Sequence, residues 1–199
     1  ALTTAGGVWL CLWRTRWRLC GVPAIVAGLA SIALMRGPDL LISGDGRLVA
    51  VRGSDGMLQV SGGRAAPLTR ETWLRRAGQE DAATWPRNGI SLDGRLACDA
   101  LGCIYSAPGH TVALVRHAAA LAEDCARASV VLAIVPVRGS CAAPAVVDRF
   151  ALWRDGGHAV WLNRDGTARV ESVRQSRGER PWVSAPPRPR ERPPPEARR

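Results

Sequence analysis

The sequence predicts an α/β domain, with a mixed sheet and packed helices, preceded by a transmembrane helix. Residues 19–35 form an uncharged apolar run, at the short end of what spans a bilayer. After Pro38, short β-like runs alternate with turns rich in Gly and Asp. From residue 111, strand and helix patterns alternate, which is typical of helices packed on a sheet.

Composition and charge limit the classes of function. The hydrophobic fraction of 47% excludes global disorder. The 27 basic residues, all Arg, outnumber 17 acidic ones, but the excess lies at the ends. Residues 1–36 carry four Arg and no acid, residues 174–199 carry eight Arg and three Glu, and the body between them is close to neutral. The high overall charge therefore does not by itself indicate a nucleic-acid binder.

The N-terminal segment predicts the end of a membrane domain over residues 1–36. An apolar run at 5–13 indicates part of one spanning helix, RTRWR forms a tight basic turn, and 19–35 forms the next helix. The alternative, a signal peptide, is disfavoured by the upstream apolar run and by the lack of a small-residue cleavage site before Arg36. Because Arg-rich short loops stay in the cytoplasm, three arginines act as the topology signal and place the chain after residue 36 outside the cytoplasm: Arg14, Arg16 and Arg18.

The cysteines of the body test that orientation. Cys98 and Cys103 flank DALG, a turn-like link of a hairpin. Cys125 ends one helical pattern, and Cys141 precedes the next one. We predict the disulfides Cys98–Cys103 and Cys125–Cys141, as expected in an oxidising compartment. Zinc is the alternative, but no C-x-x-C occurs and no His stands at ligand spacing.

The elements follow from the same patterns. Strands are predicted over 39–43, 47–52, 57–60, 111–115, 129–135, 158–162 and 167–173, with a hairpin around the DALG link. Helices are predicted from an N-cap at Thr69 through Arg76, over 117–128 and over 144–156, the last opened by Pro144. Trp153 and Trp161 fall on predicted buried faces. The Pro- and Arg-rich tail, 178–199, is predicted to be an extended arm.

No catalytic residue, metal ligand or cofactor site is predicted. His110, His117 and His158 are scattered, without the spacing of a ligand set. The loop at residues 43–46 is explained by turn geometry alone, and Cys141 has no base to activate it as a nucleophile.

Four stretches carry a resemblance to a known family: WLCLWRTRWRLCGVPA, PDLLISGDGRLVAVRG, CDALGCIY and DRFALWRDGGHAVWLNRDGTARVESVRQSRGERPW. Together they resemble the C-terminal region of the ComEC family of DNA-internalisation competence channels, over residues 8 to about 183. The resemblance implies an inner-membrane protein that passes single-stranded DNA into the cytoplasm during transformation. The implied partners are single-stranded DNA, the membrane, the rest of the channel polypeptide and other DNA-uptake proteins.

The resemblance also implies a domain at residues 37–177 that lies in the periplasm. In many members this domain looks like a metallo-β-lactamase fold with a His-x-His-x-Asp-His metal cluster. No His lies between Ala1 and Gly109 here, so the resemblance implies a degenerate, non-catalytic copy of that fold. Two alternatives remain open: an active metal-dependent nuclease or hydrolase of the same fold, and a membrane-anchored periplasmic protein unrelated to DNA.

Overall fold

The computed structural model describes residues 1–33, 36–62 and 66–178. The chain divides into two compact units, one over Ala1–Gly37 and one beginning at Pro38. Each unit is held together by contacts among its own residues.

The first unit is a helical hairpin. Helix α1 (Leu2–Leu12) leads through a 3₁₀ turn (Arg16–Cys20) into helix α2 (Gly21–Ala33). The helices run antiparallel, because Gly28 faces Thr3 at one end and Gly21 faces Leu10 at the other. Glycines let the two backbones touch: a Cβ atom on Gly6 would lie only 2.6 Å from the carbonyl oxygen of Gly21.

The helix predicted at 19–35 differs from the observed one. Leu19 and Cys20, which were expected in the helix, belong to the 3₁₀ turn. This turn reverses the chain, so that Gly21 contacts α1. Helix α2 has 13 residues, a length of about 20 Å. Residues 34 and 35 lie outside the described part of the chain. Among the described residues, no helix combines the length and the apolar character needed to cross a bilayer.

The second unit contains two β-sheets. The first sheet is antiparallel, with the order β11-β10-β1-β2-β3. Its strands are β1 (Leu40–Ile42), β2 (Val49–Arg52), β3 (Leu58–Val60), β10 (His158–Leu162) and β11 (Ala168–Ser172). The second sheet is mixed, with the order β4-β5-β6-β7-β8-β9 and parallel pairing of β7 with β8 and of β8 with β9. Its strands are β4 (Gly89–Ile90), β5 (Leu96–Cys98), β6 (Gly102–Ala107), β7 (His110–Val115), β8 (Val130–Ala133) and β9 (Ala145–Val147).

The two sheets pack face to face, with helices on their outer faces. The main core lies between the sheets and includes Val51 and Val160 of the first sheet and Leu96 and Val112 of the second. Helix α3 (Pro67–Ala77) covers the first sheet through Leu74. Helix α4 (Leu121–Arg127), preceded by a 3₁₀ turn at Ala118–Ala120, covers the second sheet. This four-layer arrangement confirms the predicted α/β class with a mixed sheet and packed helices.

Four hairpin turns share one construction. In each, the Oδ1 atom of an Asp accepts a hydrogen bond from the backbone N–H two residues later, and the Gly between them takes a positive φ. Only Gly adopts this conformation without strain, so the Asp-Gly pair fixes the turn. The Asp-Gly pairs are Asp45-Gly46, Asp55-Gly56, Asp93-Gly94 and Asp165-Gly166.

Two predicted helix starts are wrong. Residues 145–147, which were expected to begin a helix, form β9 instead, because this segment pairs in parallel with β8. Helix α5 (Arg149–Asp155) starts only where the Asp148 carboxylate accepts a hydrogen bond from Ala151 N. Helix α3 starts at Pro67, not after Thr69, because Pro suits the first turn of a helix. The last element, α6 (Val173–Arg177), continues directly from β11.

Both predicted disulfide bonds are present. Cys98 and Cys103 face each other across the β5–β6 hairpin, with their Cα atoms 4.0 Å apart. Cys125 of α4 is bonded to Cys141, in the loop before β9, with a Cα–Cα distance of 5.0 Å. The extended arm was predicted over 178–199, and of this segment all residues after Gly178 lie outside the described part of the chain.

Candidate functional site

The short helix α5 presents two aromatic side chains to solvent. Leu152 is buried in the core between the sheets, and Asp148 fixes the start of the helix. Residues one helical turn apart on the opposite side therefore point outward, and Phe150 and Trp153 are 56% and 68% exposed. Two exposed aromatic side chains on one short helix form an apolar surface that can serve as a binding site.

Arginines flank this aromatic pair. Arg149 and Arg154 of α5 are both exposed. Helix α6 packs beside the C-terminal end of α5, held by a hydrogen bond from Val173 N to the carbonyl oxygen of Gly157. Its last turn carries Arg174, which is half-buried, and Arg177, which is exposed. We call the resulting surface the α5–α6 face: Arg149, Phe150, Trp153, Arg154, Arg174 and Arg177.

The prediction that Trp153 is buried is therefore wrong. The helix expected over 144–156 is replaced by strand β9 and a seven-residue helix that begins after Asp148. Within the shorter helix, Ala151 and Leu152 face the core and Trp153 does not. Trp161 is half-buried on β10, where the guanidinium carbon of Arg169 lies 4.2 Å from its ring centroid. The signal in the sequence for the true start of this helix is Asp148, a residue type that favours the N-cap position.

An exposed aromatic pair between arginines can hold unstacked bases and their phosphates. Planar rings stack on bases of any sequence, and guanidinium groups pair with phosphate oxygens. Two acids lie nearby. Asp148 accepts a hydrogen bond from Val137 N, and Asp155 lies 3.1 Å from Arg154 Nε, where it offsets part of the charge of this arginine.

Comparison of the chain with protein-family models, with curated proteins and with solved structures found no match.

An acidic groove lies on the mixed sheet. It has a volume of about 370 Å³ and runs between strands β4 to β6 and helix α4. Asp99, Glu123 and Asp124 line it, and burial together with the charges of Glu123 and Asp99 raises the pKa of the Asp124 carboxyl. Three carboxyl groups repel a polyanion, so this groove does not suit nucleic acid.

The three histidines occupy separate structural positions. His110 lies at the start of β7, and its ring nitrogens contact the Asn163 carbonyl oxygen at 2.8 Å and Ser129 Oγ at 3.4 Å. The Nδ1 atom of His117 accepts a hydrogen bond from Ala119 N at the start of a 3₁₀ turn. Within residues 1–33, 36–62 and 66–178, no group of three or more His, Cys, Asp or Glu could hold a metal ion.

His158 is buried at the opposite end of β10 from the Asn163 turn. Burial lowers the pKa of its imidazole, although a hydrogen bond to the backbone of Gly156 and the charge of Asp155 oppose the effect. Its Nδ1 atom has no hydrogen-bond partner among the described residues. This histidine therefore favours the neutral state in the folded protein.

The loop at residues 43–46 uses its polar groups internally. Ser43 Oγ donates to Asp45 Oδ1 at 2.6 Å and accepts from Leu48 N. The hydrogen bond from Ser43 lowers the pKa of Asp45. These bonds explain the loop as a turn, as the sequence predicts.

The three arginines that the sequence analysis predicted as a topology signal lie in the hairpin connection. Arg14, Arg16 and Arg18 are all exposed, and Trp13 and Trp17 beside them are 46% and 66% exposed. On the helices, apolar side chains also face outward: Leu2, Val8, Leu12, Val22, Val26 and Leu29. Helices that are apolar on all sides are typical of a nonpolar environment.

Proposed function

We propose that the chain is the C-terminal part of an inner-membrane channel that imports single-stranded DNA during natural transformation. Residues 1–36 are its membrane part, and the domain at residues 37–177 lies in the periplasm, where it binds the strand without cutting it. The fold of this domain is a degenerate metallo-β-lactamase-like one. The proposal rests on the α5–α6 face, where two exposed aromatic side chains lie between arginines.

The chemistry of this face favours a single strand over a duplex. Phe150 and Trp153 stand one helical turn apart, and their exposed rings offer stacking surface only to bases that are not already stacked in a duplex. The arginines around them supply the electrostatic attraction that tracks a phosphate backbone. Its arginines make the α5–α6 face better suited to a polyanion than the groove on the mixed sheet, which is lined by three carboxyl groups.

Two further features support the location. Disulfide bonds persist in the periplasm and are rare in the cytoplasm, and both pairs of the body are bonded. The outward apolar side chains of the hairpin support a position in the membrane.

Binding of a fluorescent single-stranded oligonucleotide to the detergent-solubilised chain tests the proposal. We expect tighter binding to the single strand than to the duplex, and a steep loss of affinity with salt. The double variant Phe150→Ala/Trp153→Ala should bind at least about tenfold more weakly, since base–aromatic stacking contributes roughly 1–3 kcal/mol per base.

The matched control removes two other exposed apolar side chains, Ile90 of β4 and Leu92 in the turn between β4 and β5. The variant Ile90→Ala/Leu92→Ala should bind as the native chain does. Native affinity in the aromatic double variant would contradict the assignment of the α5–α6 face. The absence of binding by the native chain at any salt concentration would favour a membrane-anchored protein unrelated to DNA.

A further inference from the structure

The connection between α1 and α2, residues 13–20, carries an unneutralised positive charge. Arg14, Arg16 and Arg18 are exposed, and within the described residues none of the three guanidinium groups has a hydrogen-bond or ion-pair partner. The first acidic residue of the chain is Asp39, so the first unit contains no carboxylate side chain that could pair with them. Three arginines within five residues concentrate positive charge that an anion can neutralise.

Tryptophans gather at the same end of the hairpin. Trp9 Nε1 donates a hydrogen bond to the carbonyl oxygen of Trp17 at 2.9 Å, which ties the end of α1 to the connection. The rings of Trp9 and Trp13 lie 5.3 Å apart. Tryptophan favours the headgroup level of a bilayer, because its ring is apolar and its N–H is polar.

The rest of the hairpin is apolar on its outer surface. Leu12 of α1 is 73% exposed and Val26 of α2 is 57% exposed, with similar side chains along both helices. When these side chains enter the acyl region of a lipid layer, the tryptophans and arginines of the connection reach the headgroups together. Guanidinium groups bind phosphodiester oxygens with paired hydrogen bonds.

We infer that the hairpin connection binds the phosphates of anionic phospholipids through Arg14, Arg16 and Arg18. The occupant is the headgroup of a lipid with a net negative charge, such as phosphatidylglycerol. A zwitterionic headgroup is a poorer ligand because its own ammonium group competes with the arginines. The inference goes beyond DNA binding and depends on the first unit alone, so it does not require the α5–α6 face.

Vesicle flotation of the full chain tests the inference. We compare vesicles of phosphatidylcholine with vesicles in which about a third of the lipid is phosphatidylglycerol. Each arginine at the headgroup level contributes about fivefold to the partition constant, so the native chain should prefer the anionic vesicles by at least about tenfold. The triple variant Arg14→Gln/Arg16→Gln/Arg18→Gln should lose this preference and keep its partitioning into phosphatidylcholine.

The matched control, Arg76→Gln/Arg87→Gln/Arg164→Gln, removes the same charge from exposed positions of the second unit and should keep the preference. Inorganic phosphate, added at the ionic strength of a chloride control, should not displace the chain, which distinguishes a lipid headgroup from free phosphate. Equal binding of the native chain to both vesicles, or an unchanged preference in the first triple variant, would overturn the inference. If the native chain bound neither vesicle, the membrane part of the proposed function would fail as well, whereas DNA binding would stand or fall on its own assay.

Discussion

Gln59 Nε2 donates a hydrogen bond of 3.0 Å to Asp93 Oδ2, and this bond joins two segments that belong to different sheets. Asp93 lies in the turn between β4 and β5 of the mixed sheet, and Gln59 lies on β3 of the antiparallel sheet. Oδ2 also accepts a hydrogen bond from Ser54 N. Burial acts to raise the pKa of Asp93, but its hydrogen bonds outweigh burial and the pKa is lowered.

The variant Asp93→Ala should therefore destabilise the domain more than Asp45→Ala does. Both residues stand in Ser-x-Asp-Gly-Arg-Leu turns and make the same bonds within the turn. Only Asp93 adds the two bonds to the other sheet, which should cost about 1–3 kcal/mol more in the free energy of unfolding. Urea denaturation of the two variants measures the difference, and equal losses would refute the link between the sheets.

The Cys125–Cys141 disulfide should contribute about 3 kcal/mol to the free energy of unfolding, because it closes a loop with a sequence separation of 16. We expect the variant Cys125→Ala/Cys141→Ala to lose this amount in urea denaturation at neutral pH. As a control, a reductant should destabilise the native chain at least as much as this double substitution does. A loss below about 1 kcal/mol would show that the bridge does not restrain the unfolded chain as expected.

His158 should make the domain less stable in mild acid. Its pKa in the folded protein lies below the ordinary value of 6.5, so the unfolded chain binds a proton more readily than the folded one. The free energy of unfolding should be unaffected by this residue above pH 6.5 and should fall as the pH drops below that value. The slope from this single group is at most about 1.4 kcal/mol per pH unit.

Urea denaturation between pH 5 and pH 8, interpreted with a histidine pKa of about 6.5 in the unfolded chain, measures this effect. The variant His158→Gln should lack this part of the pH dependence, whereas His117→Gln, at an exposed position, should retain it. An identical pH slope in the native chain and in His158→Gln would contradict the prediction.

The arginines and the aromatics of the α5–α6 face should affect DNA binding in different ways. The variant Arg149→Gln/Arg154→Gln should reduce the slope of log K against log salt concentration by about 0.7 for each phosphate that is no longer neutralised. The variant Phe150→Ala/Trp153→Ala should weaken binding at every salt concentration and leave the slope unchanged. Fluorescence anisotropy across a salt series separates the two effects, with Arg76→Gln/Arg87→Gln as the charge-matched control. An unchanged slope in Arg149→Gln/Arg154→Gln would exclude these two arginines from phosphate binding.

Some of the fold could be predicted because the cause lies within a few residues. An Asp-Gly pair fixes its own turn through one side-chain hydrogen bond and one positive φ. All four turns can therefore be predicted from the sequence. The Cys98–Cys103 pairing is similarly local, since it follows from two positions that flank a short hairpin link.

Other features depended on partners far away in the chain. Residues 145–147 form a strand because they pair with the edge of β8. Helix α5 therefore begins only at Arg149. In this short helix Leu152 is buried and Trp153 is exposed. Likewise, the apolar run at 19–35 did not show where the chain would turn back, because that is set by the contact of Gly21 with α1.

The sequence by itself determined the α/β class, the turns and the Cys98–Cys103 pair, since each rests on local geometry or on a periodic pattern. The Cys125–Cys141 pair followed because these were the two other cysteines of the body. Only the tertiary structure decided which aromatics are exposed, that the strands divide into two sheets, and that Asp93 joins those sheets while Asp45 does not. The physical reason is that exposure and pairing are fixed by what packs against a residue, and no local pattern specifies a neighbour that comes from a distant part of the chain.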